Sequence, residues 1–212
     1  LRDGVPVARS ELYARMDAAG IASGNQRGLH LLNWLAHESV LCQGPRHGKQ
    51  PTFVLMDAWV PPCAPLGRDE ALHRLALRYL QGHGPATVAD LAWWSGLTQK
   101  DALHALTLAA PELGHETRDG ATWWWRADAP ATSRSRAFHL LPAFDEYLIG
   151  YRNRTPVLDA AHTRRVFGVN GLVAATAIVR GRVAATWKRE AGGGVTLDPL
   201  RTLDDAEHAG IQ

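Results

Sequence analysis

Residues 85–106, PATVADLAWWSGLTQKDALHAL, constrain the fold more than any other stretch of the chain. Thr87 is placed to cap a helix over Val88 to Ser95. Gly96 supplies the turn, and Thr98 caps a further helix from Gln99 to Ala109. Leu91, Leu97, Ala102, Leu103 and Leu106 provide the apolar face. Ala92 is small where the two helices must approach. The pattern is helix, glycine-containing turn, helix. A helix over Asp69 to Gln81 precedes it, with Leu72, Leu75, Ala76 and Tyr79 in period, and Gly82-His83-Gly84-Pro85 ends that helix. A hairpin follows. His115–Arg118 and Ala121–Arg126 flank Asp119-Gly120, a dipeptide suited to a type I′ turn. Strand alternation puts Trp123 and Trp125 on one face and Trp124 on the other.

The segment 1–62 has the same order. Ser10 is a candidate cap for a helix over Glu11 to Ala19, and Gly20 stops it. A second helix fits Gln26 to His37, with Leu29, Leu32, Leu35 and Ala36 on one face. Ser39–Gln43 and Thr52–Asp57 then read as strands. Gly44-Pro45-Arg46-His47-Gly48-Lys49-Gln50-Pro51 joins them as a long basic tip. Two helices followed by such a hairpin predict a winged helix, with any α+β hairpin as the ordinary alternative, so tandem winged units are expected at 1–62 and 66–127. Pro61-Pro62 and Pro65 form the linker between them. The repetition is of architecture, because the two segments do not align residue by residue.

An Ala-, Ser- and Arg-rich linker, Ala127 to Ser135, leads to a third segment, 137–212. Phe138–Leu141 reads as a strand. Val173–Val179 and Val183–Lys188 form a hairpin around Arg180-Gly181, and Val195–Leu197 is a further strand after Gly192-Gly193-Gly194. Short strands with glycine turns favour a small barrel or sheet, and a β-barrel-like domain is expected. Leu203 to Gln212 reads as the start of an acidic helix. The fold class expected is therefore α+β.

Composition limits the function classes. Cys42 and Cys63 are the two cysteines, without Cys-x-x-Cys spacing, which favours a cytoplasmic setting over a disulfide framework or zinc site. No apolar run reaches the roughly 18–20 residues of a membrane helix, and no signal peptide is visible. The ten histidines show no His-Glu-x-x-His, so no metal is expected. Gly-x-x-x-x-Gly-Lys, Gly-x-Gly-x-x-Gly and a serine nucleophile elbow are absent, so no cofactor or nucleotide-binding loop is expected. The net charge of +2 is a weak argument for nucleic acid. The chain opens at Leu1 without a methionine and enters a helical pattern almost at once, as a piece of a longer protein would.

Three stretches carry a resemblance that the patterns alone do not. RYLQGHGPATVADLAWWSGL (Arg78–Leu97) and HLLPAFDEYLIGYRNR (His139–Arg154) strongly resemble the AlkZ-like DNA glycosylases, a family that includes many proteins described as winged-helix DNA-binding domain-containing. NGLVAATAIVRGRVAATWKR (Asn170–Arg189) is similar to the family's barrel hairpin. The resemblance runs from about Val5 to Leu203. It implies tandem winged helices and a β-barrel forming a concave basic channel for damaged duplex DNA. It also implies removal of alkylated bases by a positioned water, and for some members the unhooking of interstrand crosslinks. The family's catalytic signature is Gln-x-Gln, or Gln-x-Asp in one branch, in its N-terminal part. Here the glutamines are 26, 43, 50, 81, 99 and 212, with no two spaced by two. Gln99-Lys100-Asp101 matches Gln-x-Asp only in letters, since it opens the presumed recognition helix. No catalytic residue is therefore assigned within the chain: either the N-terminal part lies outside it, which its start at Leu1 favours, or this member has lost catalysis.

Double-stranded DNA is the expected partner, and the oligomeric state is left open. A recognition helix presents its first polar side chains to DNA, which nominates Gln99, Lys100 and His104; a solvated helix face is the plainer alternative. Arg46, His47 and Lys49 at the first hairpin tip suit phosphate or minor-groove contact, and Arg118 at the second is a weaker candidate. Asp145, Glu146, Arg152 and Arg154 fall within ten residues. A carboxylate there suits an oxocarbenium-like sugar and the arginines suit phosphates, whereas the favoured reading is an internal ion-pair cluster pinning the barrel to the winged helices. The tryptophan runs suit base stacking, but core packing is the commoner use of such residues. The function expected is DNA holding within a repair glycosylase; the alternatives are a non-catalytic transcriptional regulator and a protein-interaction module.

Overall fold

The computed structural model describes residues 1, 4–129 and 137–211, with the Ile211 side chain left out. Residues 130–135 of the expected linker, and Gln212, lie outside the described residues. The chain divides into two compact units, Leu1–Pro65 and Leu66–Gln212.

The first unit begins with β1 (Val7–Ala8), which leads directly into α1 (Arg9–Ala18). Ser10 does not cap this helix. Ala8 holds the cap position, and the Ser10 hydroxyl instead donates to Gln50 Oε1 at 3.2 Å. Gly20, at φ +78°, turns the chain out of α1 in the left-handed region that glycine tolerates best. Asp17 then accepts hydrogen bonds from the Ser23 amide (2.8 Å) and hydroxyl (2.9 Å), which aims the chain into α2 (Arg27–His37). The two helices cross closely at Gly28, where a Cβ would lie 2.7 Å from the Tyr13 ring. Leu32 is buried, Leu29 and Leu35 are half-buried, and Ala36 faces solvent. A hairpin of β2 (Leu41–His47) and β3 (Gln50–Leu55) completes a sheet of order β1-β3-β2. The ladder runs further than the sequence pattern implies, leaving only Gly48 and Lys49 as the turn. Its register shifts between Gly44 and His47. That irregularity accommodates Pro45, which cannot donate to a ladder. Thr52 Oγ1 donates to the Pro45 carbonyl at 2.6 Å. A short helix, α3 (Met56–Trp59), replaces the expected end of the last strand. Val7, Leu12, Leu32, Leu41 and Phe53 form the core.

In the second unit, α4 (Arg68–His83) is followed by β4 (Ala86–Thr87), α5 (Val88–Ser95), α6 (Gln99–Ala109), β5 (Leu113–Arg118) and β6 (Ala121–Arg126). Thr87 and Asp90 form a reciprocal capping box on α5. Gly96 turns at φ +73°, and Thr98 Oγ1 accepts from the Asp101 amide to cap α6. Asp119 and Gly120 both have positive φ, +51° and +75°, as a type I′ turn requires. The sheet has order β4-β6-β5. As with β1 and β3 in the first unit, a short strand ahead of the helix pair joins the second hairpin strand. Leu72, Ala76, Tyr79, Leu91, Leu106 and Trp124 lie in one core. Leu103 is not part of it, being 50% exposed on the outer side of α6.

The rest of this unit contains β7 (Phe138–Leu141), α7 (Glu146–Ile149), α8 (Thr163–Val166), β8 (Thr176–Val179), β9 (Arg182–Arg189), β10 (Val195–Pro199) and α9 (Asp205–Ile211). The expected barrel is not formed. The strands make an open antiparallel sheet of order β10-β9-β8-β7, and no closed barrel occurs among the described residues. All four residues of β8 are buried, so the sheet is covered on both faces. One apolar cluster gathers Leu148, Leu158, Val166, Ile178 and Val183, and another gathers Ala177, Val179, Ala184 and Leu203. A sheet sandwiched in this way buries its side chains without closing on itself. Next to its edge strand, α9 packs on β7, and Gly210 fits against the Phe138 ring with no room for a side chain.

A bidentate ion pair fixes α9. The Arg201 guanidinium donates to both Glu207 carboxylate oxygens at 2.8 and 2.9 Å, while Asp204 accepts the Glu207 amide at 2.7 Å. The Arg201 hydrogen bonds hold the Glu207 carboxyl down to about 2, against an ordinary 4.5. A depressed folded-state value stabilises the docked helix above the ordinary value and loses that stabilisation as pH falls toward the folded one. Amide hydrogen exchange of residues 205–210 is therefore expected to accelerate, relative to α4, between about pH 4.5 and 2. Glu207→Gln should expose the same amides at neutral pH and remove most of that pH dependence.

Candidate nucleic-acid interface

In the first unit, Arg46, His47 and Lys49 are all exposed on the β2–β3 tip. None has an ion-pair or hydrogen-bond partner among the described residues. The ladder reaches His47 and Gln50, so the three side chains sit at or beside a two-residue turn rather than on an eight-residue loop.

In the second unit the α6 candidates separate. Gln99 and Lys100 are exposed in its first turn. His104 Nε2 instead lies 2.9 Å from Asp69 Oδ1 on α4. Arg68 of α4 likewise donates to Asp101 at 2.8 Å. Asp101 also accepts from the Thr98 hydroxyl at 2.9 Å. The Thr98 hydrogen bond first, and then Arg68, hold the Asp101 carboxyl below the usual carboxylate range. Asp101 thus serves a helix cap and an interhelix ion pair, in keeping with a purely literal match of Gln99-Lys100-Asp101 to Gln-x-Asp. Arg118 is exposed at the end of β5, beside a cleft of about 310 Å³ that Trp123 and Trp125 also line.

The charged cluster at 145–154 is organised differently from a set of acid–arginine pairs. Asp145 caps α7, accepting the Tyr147 amide at 2.9 Å. Glu146 Oε2 faces His83 Nε2 of α4 and accepts from Trp94 Nε1 of α5, each at 3.0 Å. Arg154 Nε donates to the Leu148 carbonyl at 2.6 Å. Its guanidinium lies over the rings of Trp93 (5.2 Å) and Phe167 (4.6 Å). Burial draws its pKa below the ordinary arginine value. Arg154 is therefore a packed internal cation. The Arg152 side chain, in contrast, is exposed, and only its backbone is tied down.

That tie leads to residues the motifs did not nominate. Asp90 is 4% exposed. Its Oδ2 accepts from the Thr87 amide (2.9 Å) and hydroxyl (2.7 Å), and its Oδ1 from the Arg152 amide (2.9 Å). Beside it, the Tyr79 hydroxyl donates to the Gly150 carbonyl at 3.1 Å and the Tyr151 hydroxyl to the His83 carbonyl at 3.0 Å. Burial first, and then the Asp90 charge, push both phenols up, so both remain donors. The ring of His83 stacks on Tyr79 at 4.6 Å. One signal for Asp90 was present in sequence: Thr87-x-x-Asp90 is a capping-box spacing. Nothing local points to Tyr79, His83 or Tyr151.

These contacts frame a cleft of about 600 Å³ between the outer face of the β4-β6-β5 sheet and residues 147–157. Arg152 and Arg154 both line it, with Trp123, Tyr147, Tyr151 and Asn153. Among the described residues, no cluster of His, Cys, Asp or Glu could hold a metal ion, and no helix is long and apolar enough to cross a membrane.

Comparison with known proteins places these features in a family. The family model described as DNA glycosylase AlkZ-like matches residues 1–212. A curated relative, the interstrand DNA cross-link repair glycosylase of Streptomyces sahachiroi, is 28% identical over 207 residues, which is 88% of this chain and 54% of that protein. The solved structure of the DNA glycosylase AlkZ of Streptomyces sahachiroi superposes with a TM-score of 0.76 at 24% identity, covering 95% of this chain and 58% of that one. The chain thus spans about half the length of the curated relative it matches.

The Asp90 tie is expected to govern the stability of the second unit. Asp90→Ala strands the Thr87 and Arg152 amides and should lower the unfolding free energy by roughly 2–4 kcal/mol. Tyr79→Phe removes one hydroxyl hydrogen bond and should cost about 1 kcal/mol. Urea unfolding of the two variants tests this ranking; equal losses would show that Asp90 does no more than a single hydrogen bond.

Proposed function

The chain belongs to the AlkZ-like DNA glycosylase family, and on that premise we propose that it is the DNA-holding portion of a repair glycosylase acting on alkylated or cross-linked duplex DNA. Each run of two helices and a hairpin is read as a winged helix. Supporting this, β1 and β4 each precede a helix pair and join its hairpin. The observation that carries the reading is the β2–β3 tip, which offers Arg46, His47 and Lys49 to solvent without a carboxylate partner among the described residues. Cations at a hairpin tip suit phosphate contact. The name of the curated relative supports cross-linked duplex as the substrate class. Catalysis, in this reading, uses residues outside Leu1–Gln212, because no Gln-x-Gln occurs within them. A cytoplasmic location follows from the partner and belongs to the same proposal.

A second reading, a transcriptional regulator, is favoured by one feature: Gln99 and Lys100 are free in the first turn of α6. It predicts sequence-selective binding, whereas a repair clamp holds duplexes of different sequence equally.

Titration of a labelled duplex at several salt concentrations tests the proposal. The logarithm of the association constant should fall linearly with that of salt, by roughly 0.9 per phosphate contact. Arg46→Ala with Lys49→Ala should reduce that slope by about 2. Arg46→Glu with Lys49→Glu should weaken binding further. Salt-independent affinity would overturn phosphate holding, and unchanged affinity in the glutamate pair would remove the first hairpin from the interface.

A further inference from the structure

We propose that the cleft between the β4-β6-β5 sheet and residues 147–157 is a binding site for a single unstacked nucleotide of the bound DNA strand. The inference rests on the DNA-holding reading and adds a ligand class to a cavity that reading does not use. The cleft has a volume of about 600 Å³, within the usual range of small-molecule sites, about 300–1,000 Å³.

Its wall chemistry selects the ligand. Trp123 lies on the outer face of its sheet, because the neighbouring Trp124 takes the core side at 9% exposure. The indole of Trp123 has no hydrogen-bond partner among the described residues, and it lines the cleft. Pro156 and Val157 provide apolar surface in the same cleft. Two of the polar side chains that line it keep unused donors. The Arg152 guanidinium has no partner among the described residues. Asn153 Oδ1 is occupied by the Thr155 amide (3.1 Å) and hydroxyl (2.9 Å), which leaves the Asn153 amide nitrogen free to donate. The Tyr147 and Tyr151 hydroxyls already donate to the Gly181 and His83 carbonyls, at 2.7 and 3.0 Å. Asp90 is turned inward onto the Thr87 and Arg152 amides. The cleft therefore presents one aromatic plane, one free cation and a free amide donor. A planar ring rich in acceptors and carrying an anionic group fits that set. A nucleotide has this combination: the base stacks on Trp123 and the phosphate meets Arg152.

The site is built in advance of binding. Arg152 is held through its backbone by a carboxylate on α5, and Trp123 pairs with Thr87 and Glu116 in the sheet. Both walls are thus attached through their backbones to the same capping residues, which leaves the Arg152 side chain to be ordered on binding.

The test compares two labelled duplexes of equal length, one fully paired and one carrying a single unpaired nucleotide, by fluorescence anisotropy. The bulged duplex should bind roughly tenfold more tightly, the size of one base–aromatic stack. Trp123→Ala should abolish that preference while leaving the paired duplex unaffected, and Trp123→Phe should keep part of it. Arg152→Gln should also reduce it. Millimolar deoxynucleoside monophosphate that erases the preference without displacing the paired duplex supports the site and shows that it takes free nucleotide; competition confined to bulged DNA shows that it needs the strand. Equal affinity for both duplexes, unchanged by Trp123→Ala, would overturn the nucleotide site and leave DNA holding intact. Failure to bind either duplex would overturn both.

Discussion

The Asp90 carboxylate is the constraint on which the second unit depends. It closes the α5 cap through Thr87 and accepts the Arg152 amide from a segment sixty-two residues further along the chain. A buried carboxylate is costly unless its lone pairs are used, and here three donors use them. The consequence is geometric. The strand β4, the helix α5 and the 147–157 segment share one anchor, so the start of the helix pair and the wall of the cleft cannot move independently. The Tyr79–Gly150 and Tyr151–His83 hydrogen bonds repeat the same junction from α4. Glu146, which faces His83 and Trp94, does so nearer the surface.

How far the sequence could reach follows from the range of each interaction. Thr87, Gly96, Thr98 and Asp119-Gly120 act within a few residues, and the helix pair with its hairpin was legible from them. The Ser10 cap failed because α1 starts at Arg9, which puts Ser10 inside the helix, where its hydroxyl donates to Gln50, forty residues away. The β2–β3 tip was misjudged as a loop because a Gly-Pro pair usually ends a strand, while here the ladder absorbs it at an irregularity. Barrel closure failed for a related reason. Short apolar strands with glycine turns are common to barrels and to covered open sheets, and burial of all four β8 residues depends on what packs over both faces. The acidic and basic residues of 145–154 were visible as a cluster. Their partners were not, because those partners are the Tyr147 amide, the Leu148 carbonyl, His83, two tryptophans and Phe167 rather than one another.

A net charge of only +2 loses its force against DNA binding once the carboxylates are placed. Asp90, Asp145, Asp159, Asp204 and Glu207 each accept a backbone amide at a helix start or turn, and Asp101 accepts the Thr98 hydroxyl and the Arg68 guanidinium. These acids serve local structure. The cations at Arg46, Lys49, Lys100, Arg118 and Arg152 have no such partner among the described residues. The formal sum hides a division of labour in which negative charge is spent on folding and part of the positive charge is left toward solvent.

The same placement argues against α6 as an independent reader of base edges. Base readout in a major groove requires a helix whose first turns present several free polar side chains. On α6, Asp101 and His104 are committed to Arg68 and Asp69 of α4, which leaves Gln99 and Lys100. Two side chains beside an exposed Leu103 offer little base-specific hydrogen bonding. Those ion pairs lock α6 to α4, and α4 is locked through Tyr79 to Gly150, at the edge of the cleft-forming segment. Helix, sheet and cleft are therefore tied into one network of contacts. A connected network of that kind suits holding a strand in place more than scanning its sequence.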